Sequence, residues 1–232
     1  VINCLECFHS LKSLAIRSRG LGCVLVDEDP DVIEEEFRYC RNLQSLNLFE
    51  VDLGFEYLDR LPSLKKISFH RCYFKEELTL ESDIVYETVD TIEFLNMHDF
   101  LSHFEWALLQ RIFPNCKNLL MPPSFGICYC NAILKNEVFS WAYCKWNLSH
   151  ITLDNSINSA GGARDEIFTL LTGIKKDRWE FAVNNGLDPD LIRVNASLVE
   201  IKGLFSLTLK DYKITDPVIA FGLGRMQDLR FL

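Results

Sequence analysis

The feature that most constrains this 232-residue chain is an apolar phrase that returns along it with the spacing L-x-x-L-x-L. Leu11, Leu14 and Ile16 carry it first, then Leu43, Leu46 and Leu48, then Leu64, Ile67 and Phe69, then Val89, Ile92 and Phe94. It comes back as Leu148, Ile151 and Leu153 and as Leu204, Leu207 and Leu209, and Leu229 and Leu232 open one more copy. Cys116-Lys117-Asn118-Leu119 shares the lead-in of Cys40-Arg41-Asn42-Leu43, which makes Leu119 a first position, but Pro122 and Ser124 then stand where apolar side chains belong. Repeats are irregular, about 21–32 residues long, with one enlarged or hidden unit between residues 154 and 203.

The last two apolar residues of each phrase alternate with polar ones, which places them on one face of a short strand. Ten residues after the first position a further inward side chain is expected. Leu21, Leu53, Phe74 and Ile214 supply it, whereas Asp99 and Asn158 do not. Helix signals lie between the phrases. Asp29-Pro30 and Asp216-Pro217 set a cap before a proline at a first helical position, and Ile33, Phe37 and Cys40 continue the first of these as a stripe. Ser102 and Glu105 have capping-box spacing in a segment running to Phe113, and Ile167, Leu170, Leu171 and Ile174 fall at i, i+3, i+4 and i+7. The stretch from Asn155 to Gly203 holds that one helix and no clear phrase.

A unit of strand, turn and helix cannot bury its apolar face alone, so successive units must stack into one continuous core. Helices need more width than strands, so the expected fold is α/β, a curved solenoid with parallel strands on its concave face and helices on its convex face. The concave face is then paved by the residues between the apolar positions: Arg17, Asn47, Phe49, Ser68, His70, Glu93, Thr152, Asp154, Thr208 and Lys210.

On these phrases the chain resembles a leucine-rich-repeat protein over roughly residues 9 to 232. The family's Asn or Cys, three residues past the third apolar position, is met by Cys72, while Arg19, Val51, Met97, Ser156 and Tyr212 stand there in other copies. Variable repeat length, and Lys213-Ile214-Thr215-Asp216 after the phrase Leu204 to Leu209, are similar to the helix-containing repeats of F-box and ribonuclease-inhibitor-like proteins. The resemblance implies a single repeat domain over residues 1–232, a fragment of a longer chain, that selects the substrate of an F-box-type ubiquitin ligase. The ligase core would then be engaged by a module outside these residues.

Composition narrows the partners. Hydrophobic residues at 48%, with 17 Phe, supply a large core, and a net charge of -9 with no Lys/Arg run opposes a phosphate backbone, so nucleic acid is not expected. No apolar stretch approaches the roughly 20 residues of a bilayer crossing, so no membrane partner is expected. Nine scattered cysteines, an odd number, read as reduced thiols of the cytoplasm or nucleus, with Cys40, Cys72, Cys116 and Cys144 at apolar positions. Two Asn-x-Ser sequons, at Asn147 and Asn195, support the alternative of an extracellular leucine-rich-repeat ectodomain of a receptor or defence protein.

Catalytic motifs are incomplete. Cys4-x-x-Cys7 with His9 is half a zinc site with no matching pair, since Cys128-Tyr129-Cys130 is too closely spaced. Ser63-Leu64-Lys65-Lys66 fits S-x-x-K without its companion motifs, and Gly161-Gly162 lacks the Gly-Lys-Ser/Thr of a phosphate loop. His98 and His103 do not share a helical face, and Glu34-Glu35-Glu36 reads as a solvated helix face. The aromatics Phe100, Phe104, Trp106, Phe113, Trp141, Tyr143 and Trp146 read as core. The expectation is a protein-recognition domain without catalysis, metal or cofactor, in which Phe49 and His70 are neighbours on the concave face.

Overall fold

The computed structural model describes residues 9–17, 37, 39–53, 58, 60–74, 85–97, 101, 103–134, 146–154, 156, 163–188, 191, 197–212 and 222–232. Expectations at Cys4, Cys7, Leu21, Asp29-Pro30, Ile33, Glu34-Glu35-Glu36, Ile214 and Asp216-Pro217 lie outside these residues. So do those at Arg19, His98, Asp99, Phe100, Ser102, Trp141, Tyr143, Cys144, Asn158, Gly161-Gly162 and Asn195. The chain divides into two compact units, Val1–Asp99 with Leu108–Cys116, and Phe100–Ala107 with Lys117–Leu232. The class is α/β: seven strands pair in parallel, four in the first unit and three in the second, with helices in the connections.

In the first unit β1 (Ser13–Arg17), β2 (Ser45–Phe49), β4 (Lys66–His70) and β6 (Thr91–Leu95) lie side by side in that order. Register aligns the phrases without slippage: Leu14, Leu46, Ile67 and Ile92 form one row, and Ile16, Leu48, Phe69 and Phe94 the next. A one-residue slip would turn every such side chain to the other face, so the burial of Leu46, Leu48, Ile67, Phe69, Ile92 and Phe94 holds the register. Phe69 and Phe94 stack with centroids 5.6 Å apart.

Each strand is entered the same way. The residue after the first apolar position offers its carbonyl to two backbone N–H groups of the following copy. Lys12 O accepts from Gln44 and Ser45, Gln44 O from Lys65 and Lys66, and Lys65 O from Asp90 and Thr91. The second unit repeats the step, with Lys117 O accepting from Ser149 and His150, Ser149 O from Phe205 and Ser206, and Phe205 O from Arg230 and Phe231.

Ahead of the phrase lies a tight turn stepping in threes. Leu43 N donates to Cys40 O and Cys40 N to Phe37 O, and the same pairs recur at Leu64, Leu61 and Leu58 and at Leu229, Met226 and Leu223. This is the three-residue period of a 3₁₀ turn, which carries side chains at i and i+3 onto one line. Phe37, Cys40, Leu43, Leu58, Leu61 and Leu64 are all buried.

Strand exit is equally regular. Glu50, Arg71, Asn96 and Asp211, each directly after its strand, take φ values of 57°, 52°, 52° and 58°. This left-handed conformation disfavours side chains such as Glu and Arg. It is held where the chain must leave the sheet while keeping its ladder, since Glu50 N still donates to His70 O and Arg71 N to Leu95 O.

Between β2 and β4 the described residues hold a second short strand and a 3₁₀ turn. The return path uses a two-residue strand, β3 (Asp52–Leu53), which pairs in parallel with β5 (Tyr73–Phe74), and Leu53 sits opposite Phe74.

The longer connections hold helices: α1 (His103–Ile112), α2 (Pro123–Leu134), α3 (Ala163–Thr172) and α4 (Lys176–Asn184). In the second unit β7 (Asn118–Met121), β8 (His150–Asp154) and β9 (Ser206–Lys210) pair in that order. The copy near residue 119 is displaced by three residues from its expected place. Leu119 pairs with Ile151 and Met121 with Leu153, so Cys116, buried, is the first position and Leu119 the second. Its lead-in is Phe113, whose carbonyl accepts from Cys116 N. Pro122 and Pro123 come after the strand, because proline at a fixed φ near −65° cannot make the left-handed exit but suits a helix start.

The long gap is one enlarged unit, since β8 pairs directly with β9. It contains α3, α4 and a 3₁₀ turn at Leu198–Glu200. Ile167, Leu170 and Leu171 on α3 are buried as their helical spacing predicts, Ile174 is buried two residues past its end, and α2 approaches α3 where Gly126 meets Leu170. Trp106, Phe125, Tyr129 and Trp146 form an aromatic core in the same unit, with Trp106 to Tyr129 at 5.0 Å.

Candidate functional site

Alternation leaves each strand with a second face, turned away from the rows of Leu, Ile and Phe. In the first unit this face carries three columns across the strands: Ser13, Ser45, Lys66 and Thr91; Ala15, Asn47, Ser68 and Glu93; and Arg17, Phe49, His70 and Leu95. Six of the ten candidate recognition residues lie here, brought onto one surface by the ladder.

The third column is a stack of planar groups. Phe49 and His70 lie with ring centroids 4.0 Å apart and planes within 21°, and the Arg17 guanidinium carbon sits 5.0 Å from the Phe49 centroid. Cross-strand neighbours of this kind contribute roughly 0.2–1 kcal/mol each. Burial pushes the His70 imidazole below its ordinary range. The Glu93 carboxylate pulls the other way, and Arg17 and Lys66 add to the lowering. His70 is therefore neutral at pH 7.

The second column is held by charge. Glu93 accepts a hydrogen bond from Ser68 Oγ at 2.7 Å and an ion pair from Lys66 Nζ at 2.7 Å. Ser68 is on this face yet fully buried, covered by its neighbours, so it braces Glu93 and offers no surface of its own. Lys66 belongs to the site and is absent from the residues singled out by spacing. The alternation that marks Ser68 marks Lys66 one step earlier. Beyond the strand ends, Arg71 Nη1 and Glu50 Oε1 pair at 3.3 Å.

The second unit has its own polar face, with Asn118 and Leu120 on β7, His150, Thr152 and Asp154 on β8, and Ser206, Thr208 and Lys210 on β9. Asp154 is nearly buried. Its carboxylate accepts from the Ser156 backbone N–H at 3.0 Å and hydroxyl at 2.6 Å, and pairs with Lys210 Nζ at 3.4 Å. These two opposite charges thus meet each other. His150 Nδ1 lies 2.7 Å from Ser149 Oγ, and its ring meets Phe205, which meets Phe231.

Three residues past the third apolar position, Cys72 is buried and its thiol donates to Leu48 O at 3.3 Å in the preceding copy. Val51 is buried at the same place without a donor. Cys40, Cys72, Cys116 and Cys130 are buried. Among the described residues no group of three or more His, Cys, Asp or Glu is placed to hold a metal, and no helix is long and apolar enough to cross a membrane. No protein-family model matches the chain, and no curated protein matches it significantly.

Proposed function

We propose that this chain is a leucine-rich-repeat solenoid whose open strand face recognises a protein partner by complementarity, without catalysis. The observation that carries this reading is the regular parallel register that lines up Arg17, Phe49 and His70, and Asn47, Ser68 and Glu93, on one braced surface. A surface held by a sheet, with its own charges paired at Lys66 and Glu93, is preorganised, and preorganisation lowers the ordering cost of association. The odd number of scattered cysteines, nine in all, supports a cytoplasmic or nuclear setting.

The test is photo-crosslinking in cells, with a benzophenone amino acid at Asn47 on the face or at Arg60 off it, followed by affinity measurement on the captured partner. Crosslinking at 47 with at least a tenfold loss of affinity in Phe49→Ala is expected. Equal capture at both positions, or affinity untouched by Phe49→Ala and Thr152→Arg, overturns the reading.

The narrower form, substrate selection for an F-box-type ubiquitin ligase, rests on the resemblance of the repeats. Co-purification of the full-length protein with a ligase core component is expected, and failure to co-purify would remove this form. A glycan on Asn147 would favour the extracellular ectodomain instead.

A further inference from the structure

Three neighbouring strands of the first unit end in planar side chains that share one column, Arg17, Phe49 and His70. The Phe49 and His70 rings are 4.0 Å apart, less than the roughly 4.8 Å between strands, so they face each other along the hydrogen-bonding direction and present their edges outward. Ring edges are the positive part of the aromatic quadrupole, and the guanidinium of Arg17 carries the column's formal positive charge.

Its charge is single. Lys66 is taken up by Glu93 and Arg71 by Glu50, whereas among the described residues no carboxylate pairs with Arg17. Burial keeps His70 uncharged at neutral pH. Leu95 closes the column with an apolar side chain.

We propose that the Arg17, Phe49 and His70 column anchors one carboxylate from an acidic, otherwise apolar segment of a protein partner. The carboxylate is forked on Arg17, and the residue beside it lies along Phe49 and His70 toward Leu95. This rests on the reading of the strand face as a recognition surface. Among the described residues of the column, one cation without a paired carboxylate matches one carboxylate. A dianionic phosphate would leave one negative charge uncompensated.

The test uses NMR on the full chain with isotope labels, titrated with acetyl-Gly-Leu-Glu-Leu-Gly-amide, with the Gln version, and with a phosphoserine version. Saturable shifts of Arg17 Nε–H, the Phe49 ring and the His70 imidazole with the Glu peptide alone support the anchor. Arg17→Gln should weaken binding at least tenfold, and Arg17→Lys should recover part of it because a charge remains but the fork does not. Equal binding of the Gln peptide, absence of shifts at these three residues, or tenfold tighter binding of the phosphoserine peptide overturns it. A crosslinked partner that tolerates Arg17→Gln but not Phe49→Ala would sink the anchor and leave the recognition face standing. Tolerance of both would remove the two together.

Discussion

Phe49 and Phe69 are the same residue type on adjacent strands, and the fold predicts unequal costs for their loss. Phe69 is fully buried on β4, between Leu48 and Phe94 in register and stacked on Phe94 at 5.6 Å. Phe69→Ala removes a whole core ring and leaves a cavity among packed neighbours, a loss of about 3–5 kcal/mol. Phe49 is half-buried on the opposite face, and Phe49→Ala surrenders its stack on His70 and part of its contact area, about 1–2 kcal/mol. With a urea slope of about 2 kcal/mol per molar, the first becomes a midpoint shift of roughly 1.5–2.5 M and the second one of about 0.5–1 M. Hydrogen exchange at Leu46, Ile67 and Ile92 should lose protection in Phe69→Ala and keep it in Phe49→Ala. Equal losses, or a larger one at Phe49, would refute the face assignment on which the site depends.

The pH dependence of stability should report His70. Its folded pKa lies below the usual 6.5, so between the two values the unfolded chain binds more protons and stability falls as pH drops through that window. An NMR titration of the imidazole with a midpoint at or above 6.5 contradicts this, and His70→Asn should flatten the slope. Cys72→Ala should cost about 0.5–1.5 kcal/mol by leaving Leu48 O without its thiol donor, measured as a shift in melting temperature. Cys130, fully buried with its thiol pushed far above the usual range by burial, should resist iodoacetamide in the folded protein at pH 8 and react once unfolded, with mass spectrometry locating the label. At Gly126, a Cβ would come within 2.6 Å of the Leu170 side chain, itself buried, so Gly126→Val should lower stability by about 1–3 kcal/mol in denaturant unfolding.

Much of the fold is legible in residue order because strand and helix impose different periods on apolar side chains. The pairs Leu46/Leu48, Ile67/Phe69, Ile92/Phe94, Ile151/Leu153 and Leu207/Leu209 all fall on strands, with Leu209 alone short of full burial. The neighbourhood of Phe49 and His70 also follows from the phrase, since equal positions in successive copies meet across a parallel ladder. The copy at Cys116 begins three residues earlier than its lead-in predicts, because a buried thiol packs as an apolar first-position residue. The three-residue lead-in, present in Leu58-x-x-Leu61-x-x-Leu64, is a 3₁₀ period that neither a strand nor a helix template detects.

Local pattern determined which side chains go inward, because burial of apolar surface depends on face and spacing alone. Tertiary structure decided what the outward residues do. Whether Ser68 meets solvent, whether Lys66 or Arg17 receives the carboxylate of Glu93, and whether Asp154 finds Lys210 depend on side chains more than twenty residues apart in the chain. Distances of a few ångströms settle such pairings, and only the register of assembled strands sets them.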